Sequence, residues 1–136
     1  MLNFFKKKNN EVLEDPFTKI AALLIHVAKI DENYTQKERE IVKKTLMKLG
    51  SKNENIDELI TKAEEEEENS NQILDFTKEV KNMNEESKVK IVEALWNIIY
   101  SDSKADMYEN SLMRRLTGLI YLDPKIVGDI KKKMIS

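Results

Sequence analysis

The sequence predicts an all-α fold, a compact bundle of about seven short helices with an internal pseudo-repeat of two helical hairpins. Only three glycines and two prolines interrupt its 136 residues. Apolar residues recur at steps of three and four along most of the chain, which is the period of a helix that buries one face. Two distant stretches, Ile20–Leu49 and Glu93–Leu116, also repeat each other. Each is predicted to form a hairpin, in which one helix is joined to a second helix by a corner that contains acidic residues.

The first helix follows a short segment without apolar periodicity. We therefore divide the chain into a flexible N-terminal arm, residues 1–14, and a single helical domain, residues 15–136. Asp15 is placed to cap the first helix, and Pro16 occupies its first position, where the missing amide hydrogen is not needed. The predicted inward face of this helix consists of Phe17, Ile20, Ala21, Leu24, Ile25 and Ala28.

The second helix has clear signals at both ends. Thr35 and Glu38 form the pattern of a capping box, in which each side chain accepts a hydrogen bond from a free amide of the first turn. Gly50 is placed to end the helix in a left-handed conformation.

The third helix is predicted over Ile56–Glu67, with the acidic run Glu64–Glu68 near its end. Five consecutive glutamates cannot all lie on one face of a helix, so we expect most of them to be solvated. A docking site for a basic partner is the alternative interpretation of this run. Ser70 is predicted to cap the fourth helix.

The second hairpin repeats the pattern of the first. Asn84 is predicted to cap the fifth helix, and Asp106 with Glu109 forms a second possible capping box. Asp123 before Pro124 predicts the start of the last helix. Trp96 is expected in the core of the bundle.

Composition excludes several classes of function. The formal charge of −2 gives no reason to expect a nucleic-acid partner, and the absence of cysteine excludes disulfides and thiolate metal sites. The opening MLNFFKKKNN lacks the order of a secretory signal, so we expect a cytoplasmic protein. Its apolar and basic residues would support at most peripheral association with a membrane.

The two acidic corners form the candidate functional site. Asp31 and Glu38 flank the first corner, and Asp102 and Glu109 lie at the second, 71 positions later for each pair (102 − 31 and 109 − 38). Carboxylate oxygens suit a hard divalent cation such as Ca²⁺ or Mg²⁺, and four of them brought together would repel one another without one. The alternative is that the two glutamates only cap helices and the two aspartates are ordinary loop residues.

Other kinds of site do not fit the sequence. An EF-hand loop that began at Asp31 or at Asp102 would require glycine at its sixth position, where the chain has Gln36 and Met107. A di-iron bundle needs two Glu-x-x-His pairs, and His26, the single histidine, reads as a structural or surface residue. Because the chain also lacks a phosphate-binding glycine loop and a nucleophile motif, we predict no enzyme and no organic cofactor.

At its corners the sequence resembles the TerB (tellurite resistance protein B) family. A helix in that family ends in an Ala-x-x-Asp-Gly-like turn, with an acidic residue seven positions after the Asp. The first copy here is Ala28–Glu32 followed by Glu38, and the second is Tyr100–Ser103 followed by Glu109. The second copy is preceded, as in longer bacterial members, by Glu93, Leu95 and Trp96.

The chain departs from the family pattern at three places. Glu32 and Ser103 replace the glycine after each Asp, so each turn must form without the easy positive φ of glycine. His26 stands where relatives often carry an acid. Glu32 in turn adds an oxygen donor beside Asp31.

The resemblance covers about residues 17–133 and implies both a fold and a type of function. It implies a bundle of about seven helices with an internal repeat, and links to tellurite and other chemical stress, to metal-ion binding and to membrane-associated complexes. It implies no catalytic activity. We therefore predict a non-enzymatic stress-response module that binds a divalent cation through Asp31, Glu38, Asp102 and Glu109 and regulates a protein partner. The alternative is a metal-free scaffold domain that recognises its partner through the acidic run or an apolar groove.

Overall fold

The computed structural model describes residues 16–30, 34–52, 55–70, 73–100 and 107–135, without the side chains of residues 107–109 and 135. These residues form seven helices and contain no strand, which confirms the predicted all-α class. The helices are α1 (Pro16–Ala28), α2 (Gln36–Lys48), α3 (Ile56–Asn69), α4 (Leu74–Lys81), α5 (Glu85–Ile99), α6 (Met107–Ile120) and α7 (Pro124–Ile135).

Helix α1 lies at the centre of the bundle. Every residue from Ile20 to Ile25 is at most 1% exposed, because α1 packs against α2, α3, α4 and α5. The sequence predicts one buried face for this helix, whereas the structure buries almost its whole circumference. A helix with apolar residues on all sides is stable only inside a core of this kind.

Several predicted caps are confirmed. Thr35 and Glu38 form a complete capping box at the start of α2. The side chain of Asn84 accepts a hydrogen bond from the amide of Ser87 at the start of α5. Asp123 Oδ1 accepts one from the amide of Lys125, 2.9 Å away, in the first turn of α7. Residues 1–15, which include the predicted arm and the Asp15 cap, lie outside the described residues, as does the capping box predicted at Asp106 and Glu109.

The prediction for Ser70 is wrong. Ser70 is the C-cap of α3, and its amide donates to the carbonyl of Glu67 at 3.3 Å. Helix α3 reaches Asn69, two residues beyond its predicted end, and α4 begins only at Leu74. Ile73, which precedes α4, has a helical backbone and supplies no side-chain cap.

The pseudo-repeat is visible in the way that α2 and α6 end. The amide of Ser51 donates to the carbonyl of Leu46 at 2.9 Å, and the amide of Leu122 donates to that of Thr117 at 3.3 Å. Both residues of the second pair lie 71 positions after those of the first (117 − 46 and 122 − 51). These are the long hydrogen bonds of a Schellman motif.

The two motifs differ in the residue that takes the left-handed conformation. In the first it is Gly50, with φ of 106°, and in the second it is Tyr121, with φ of 59°. The second hairpin therefore ends in a backbone conformation that a side chain disfavours.

The two hairpins share one core. Helix α5 packs against both α1 and α2, and α4 joins α1 to α6. Leu24 and Leu95, which the repeat makes equivalent, are both fully buried. Within the described residues, α1 and α2 come close together, whereas α5 and α6 make little direct contact and α7 packs against α5. No helix in the described part of the chain combines the length and the apolar character that crossing a membrane requires.

Candidate functional site

Of the four predicted metal ligands, Glu38 has a side chain that the structure describes. Asp31, Asp102 and the side chain of Glu109 lie outside the described residues, so the convergence of the four carboxylates stays a prediction. Glu38 is 4% exposed. Its Oε1 accepts a hydrogen bond from the Thr35 amide at 2.8 Å and lies 3.3 Å from the Thr35 hydroxyl. Glu38 therefore does the work of a helix cap at the first corner.

The chain that enters the first corner is held to α3. Glu67 Oε1 accepts a hydrogen bond from Lys29 Nζ at 2.8 Å, and Glu67 Oε2 lies 3.1 Å from His26 Nδ1. The Glu67 side chain is only 9% exposed, so this ion pair forms in a partly desolvated place. The hydrogen bond to Glu67 raises the pKa of Lys29.

The chain that leaves the first corner is held to the same helix. Tyr34 donates its hydroxyl hydrogen to Glu64 Oε2 at 2.7 Å, and Arg39 Nε donates to the same oxygen at 3.2 Å. Burial and the hydrogen bond to Glu64 raise the pKa of Tyr34. Arg39 also reaches Asp57, near the start of α3, at 3.4 Å.

Glu64 and Glu67 lie one turn apart on α3, and we call them the α3 brace. They fix the chain on both sides of residues 31–33 without contributing to the predicted ligand set. Sequence reasoning missed them, although their spacing contains the signal. Ile60, Ala63, Glu64 and Glu67 stand at positions i, i+3, i+4 and i+7, so the two glutamates continue the buried face of the helix.

The acidic run is less solvated than predicted. Glu64 and Glu67 are paired as described above, and Glu66 accepts a hydrogen bond from Lys19 Nζ at 2.9 Å. Glu65 and Glu68 are exposed. The run thus places three of its acids opposite cationic or hydroxyl partners on α1, on α2 and in the residues that flank the first corner, and two in solvent. These partners relieve the repulsion that consecutive carboxylates near a helix C-terminus otherwise suffer.

The donor chemistry at the first corner fits a hard cation, but the described residues do not complete a site. Carboxylate oxygen is the preferred ligand of Ca²⁺ and Mg²⁺, and Glu38 supplies one such group. Among residues 16–30, 34–52, 55–70, 73–100 and 107–135, no group of three or more histidine or acidic side chains is arranged to hold a metal ion. Lys29 and Arg39, which stand on either side of the corner in the sequence, are already paired with the α3 brace.

The second corner begins where α5 ends. The rings of Trp96 and Tyr100 stack there, with centroids 5.8 Å apart and planes inclined by 29°. Trp96 is 3% exposed, which confirms its prediction as a core residue. Tyr100 is half-buried and is the last described residue before the corner.

The model of one protein family matches nearly the whole chain. Its description is "Tellurite resistance protein TerB", and the match extends over residues 17–132, which include both acidic corners. Comparisons with curated proteins and with solved structures each gave no significant match.

Proposed function

The chain belongs to the TerB family, and from this premise we propose that it is a non-enzymatic module that binds a divalent cation between its two acidic corners. The proposed ligands are Asp31, Glu38, Asp102 and Glu109. Cation binding would fix the two hairpins relative to each other and so regulate the surface that a protein partner recognises.

One observation carries this proposal: the family match extends over both corners, and each corner has an Asp followed seven positions later by a Glu. The packing of α5 against α1 and α2 supports it, because it places the two hairpins side by side in one core. Four carboxylates would supply part of the six to eight oxygen ligands that Ca²⁺ usually takes, about two to four others coming from backbone carbonyls and water. The non-enzymatic part of the proposal rests on the family, which implies no reaction.

Isothermal titration with Ca²⁺ and with Mg²⁺ tests the cation site. We expect saturable binding by the natural chain and its loss in the double variant Asp31→Asn/Asp102→Asn. The matched control is Asp75→Asn/Asp129→Asn, which removes the same charge from exposed positions. Absence of binding at millimolar metal, or equal binding by both double variants, would contradict the proposal.

Glu38→Gln separates the two roles of that residue. Glutamine keeps an oxygen for the capping box but carries no charge. A ligand role predicts weaker cation affinity with nearly unchanged stability, whereas a purely structural role predicts unchanged affinity. Urea unfolding of the metal-free variant provides the stability measurement.

The second candidate function is a metal-free interaction domain, and the capping box at Glu38 favours it because the carboxylate already has a structural task. In that case a protein partner would remain bound in the presence of a chelator. The exposed acids Glu65 and Glu68 are the part of the acidic run that could contact a basic partner. Their replacement by glutamine should then weaken binding, while the Asp31→Asn/Asp102→Asn variant should bind normally.

A further inference from the structure

A cleft lies between α5, α6 and α7, away from the α3 brace. Its volume is about 530 Å³. That size is within the range of small-molecule sites, about 300–1,000 Å³. Apolar side chains form most of its wall, among them Trp96, Met113, Leu122 and Val127.

The cleft exists because the second hairpin is more open than the first. Helices α1 and α2 pack against each other, while the described residues of α5 and α6 make little direct contact. Two glycines, Gly118 on α6 and Gly128 on α7, line the cleft. A Cβ atom at either would meet no other atom within 4 Å. Glycine within a helix is unfavourable, and here it leaves space that a side chain would occupy.

The cleft carries positive charge. Arg114 and Lys131 belong to its wall, and none of the described lining residues is acidic. Lys131 Nζ lies 5.2 Å from the centre of the Trp96 ring and donates to Asn110 Oδ1 at 3.0 Å. The ammonium group is thus held over an apolar floor by an uncharged partner.

Two further cations lie beside Tyr121, which is one of the lining residues. Tyr121 lines the cleft with 68% of its surface exposed. Lys81 Nζ lies 4.6 Å from the centre of its ring, and Lys88 Nζ donates to its carbonyl at 3.4 Å. Residues 107–135 contain six Lys or Arg and three Asp or Glu, a charge of +3 in a chain of net charge −2. An anion would therefore be attracted to this end of the molecule.

Trp96 supplies a separate indication of a ligand. Its side chain is 3% exposed, yet within the described part of the chain its buried Nε1 has no hydrogen-bond partner. A buried donor without an acceptor is rare in native structures. Lys131 covers the ring, so an anion that drew the lysine aside would bring an acceptor near the indole.

From these observations we propose that the cleft binds a small apolar monocarboxylate. Its hydrocarbon part would lie on Trp96, Met113 and Val127, and its carboxylate would pair with Lys131. None of the described residues that line the cleft is among the four proposed cation ligands, so the two sites can be tested separately.

Trp96 is the single tryptophan of the chain, so its fluorescence reports directly on the cleft. Decanoate is the probe, used below its micelle concentration, with decanol as the uncharged analogue of the same length. We expect a saturable change in emission with decanoate and at least tenfold weaker binding of decanol. Absence of a saturable change, or equal affinity for both probes, would overturn the proposal.

Two lysine variants test the ion pair. Lys131→Met should weaken decanoate binding at least tenfold and leave decanol binding unchanged. The matched control Lys132→Met alters the neighbouring exposed lysine and should leave both probes unaffected. Equal effects of the two variants would mean that decanoate only adheres to a basic surface, which contradicts a built site.

Filling the cleft provides the second test. Gly128→Leu should abolish binding of both probes while the circular dichroism of the helices is retained, and Lys131→Met remains decisive if this variant does not fold. Sedimentation of the natural chain distinguishes another occupant. A dimer whose Trp96 emission changes with protein concentration, and which decanoate does not dissociate, would assign the cleft to a second copy and overturn the proposal.

Discussion

Tyr34 illustrates how one side chain links the first corner to its surroundings. Its hydroxyl is half-buried and donates to a carboxylate that Arg39 also holds. Burial and this hydrogen bond raise the pKa of Tyr34 above the ordinary value of 10.0. The folded protein therefore keeps the phenol proton at a pH where the unfolded chain releases it.

This difference predicts a loss of stability in alkaline solution. The contribution of Tyr34 is fully present below pH 10.0, the unfolded pKa, and decreases as the pH rises above it. We expect Tyr34→Phe to have a flatter dependence of the free energy of unfolding on pH between about pH 9 and 11. Urea unfolding at several pH values measures this, with the exposed Tyr121→Phe as control. A dependence identical to that of the natural chain would refute the role of Tyr34.

Gly50 and Tyr121 take the same position in the two hairpins with opposite consequences. Gly50→Ala should lower the free energy of unfolding by about 1–2 kcal/mol from backbone strain alone, since a Cβ there meets no atom within 4 Å. Tyr121→Gly should raise it by about 0.5–1 kcal/mol, because the strain is relieved while a mostly exposed ring is lost. Urea unfolding of both variants is the measurement. A decrease in both would mean that the Tyr121 ring stabilises the fold more than its backbone strains it.

Residue-level predictions from the sequence succeed where the interaction is local. The capping box at Thr35 and the caps at Asn84 and Asp123 each involve partners within three positions, so the sequence contains both halves of the interaction. The prediction for Ser70 fails because serine can stand at either end of a helix, as the N-cap of α4 or, as observed, as the C-cap of α3. Only the start of α4 at Leu74 decides between the two.

At the scale of the element, α3 depends on partners that its own sequence does not contain. The buried face of α3 consists of Ile56, Ile60 and Ala63, and the α3 brace extends that face. The sequence indicates an acidic, solvated end because it does not show what lies opposite. Lys19 on α1, Lys29 just after α1 and Arg39 on α2 lie there, and they balance the charge.

The brace predicts unequal effects of two neighbouring substitutions. Glu67→Gln should lower the free energy of unfolding by about 1 kcal/mol, a value reduced by the partial exposure of Lys29 and His26. Glu68→Gln removes an exposed negative charge near the end of a helix and should change it by less than about 0.5 kcal/mol, in the stabilising direction. Thermal unfolding compares the two. Equal destabilisation would show that the buried pairs at Glu67 contribute nothing specific.

At the scale of the whole molecule, the repeat is the feature that the sequence predicts best. A constant offset of 71 positions links the acids of the corners, and the same offset links the ends of α2 and α6. The cleft beside α5 could not be predicted in this way. It depends on how far α6 stands from α5, which is a property of packing and leaves no mark in apolar periodicity.

The central position of α1 has a consequence for how the chain acquires its structure. During synthesis α1 emerges before every helix that covers it, and one of these, α5, ends at Ile99. Until then the side of α1 that α5 covers is exposed to water, and exposed apolar segments promote aggregation. We expect a chain that stops at Asn82 to bind the dye anilinonaphthalene sulfonate strongly and to self-associate, although it contains the complete first hairpin. A soluble monomer with cooperative unfolding would show instead that α1 to α4 form an autonomous folding unit.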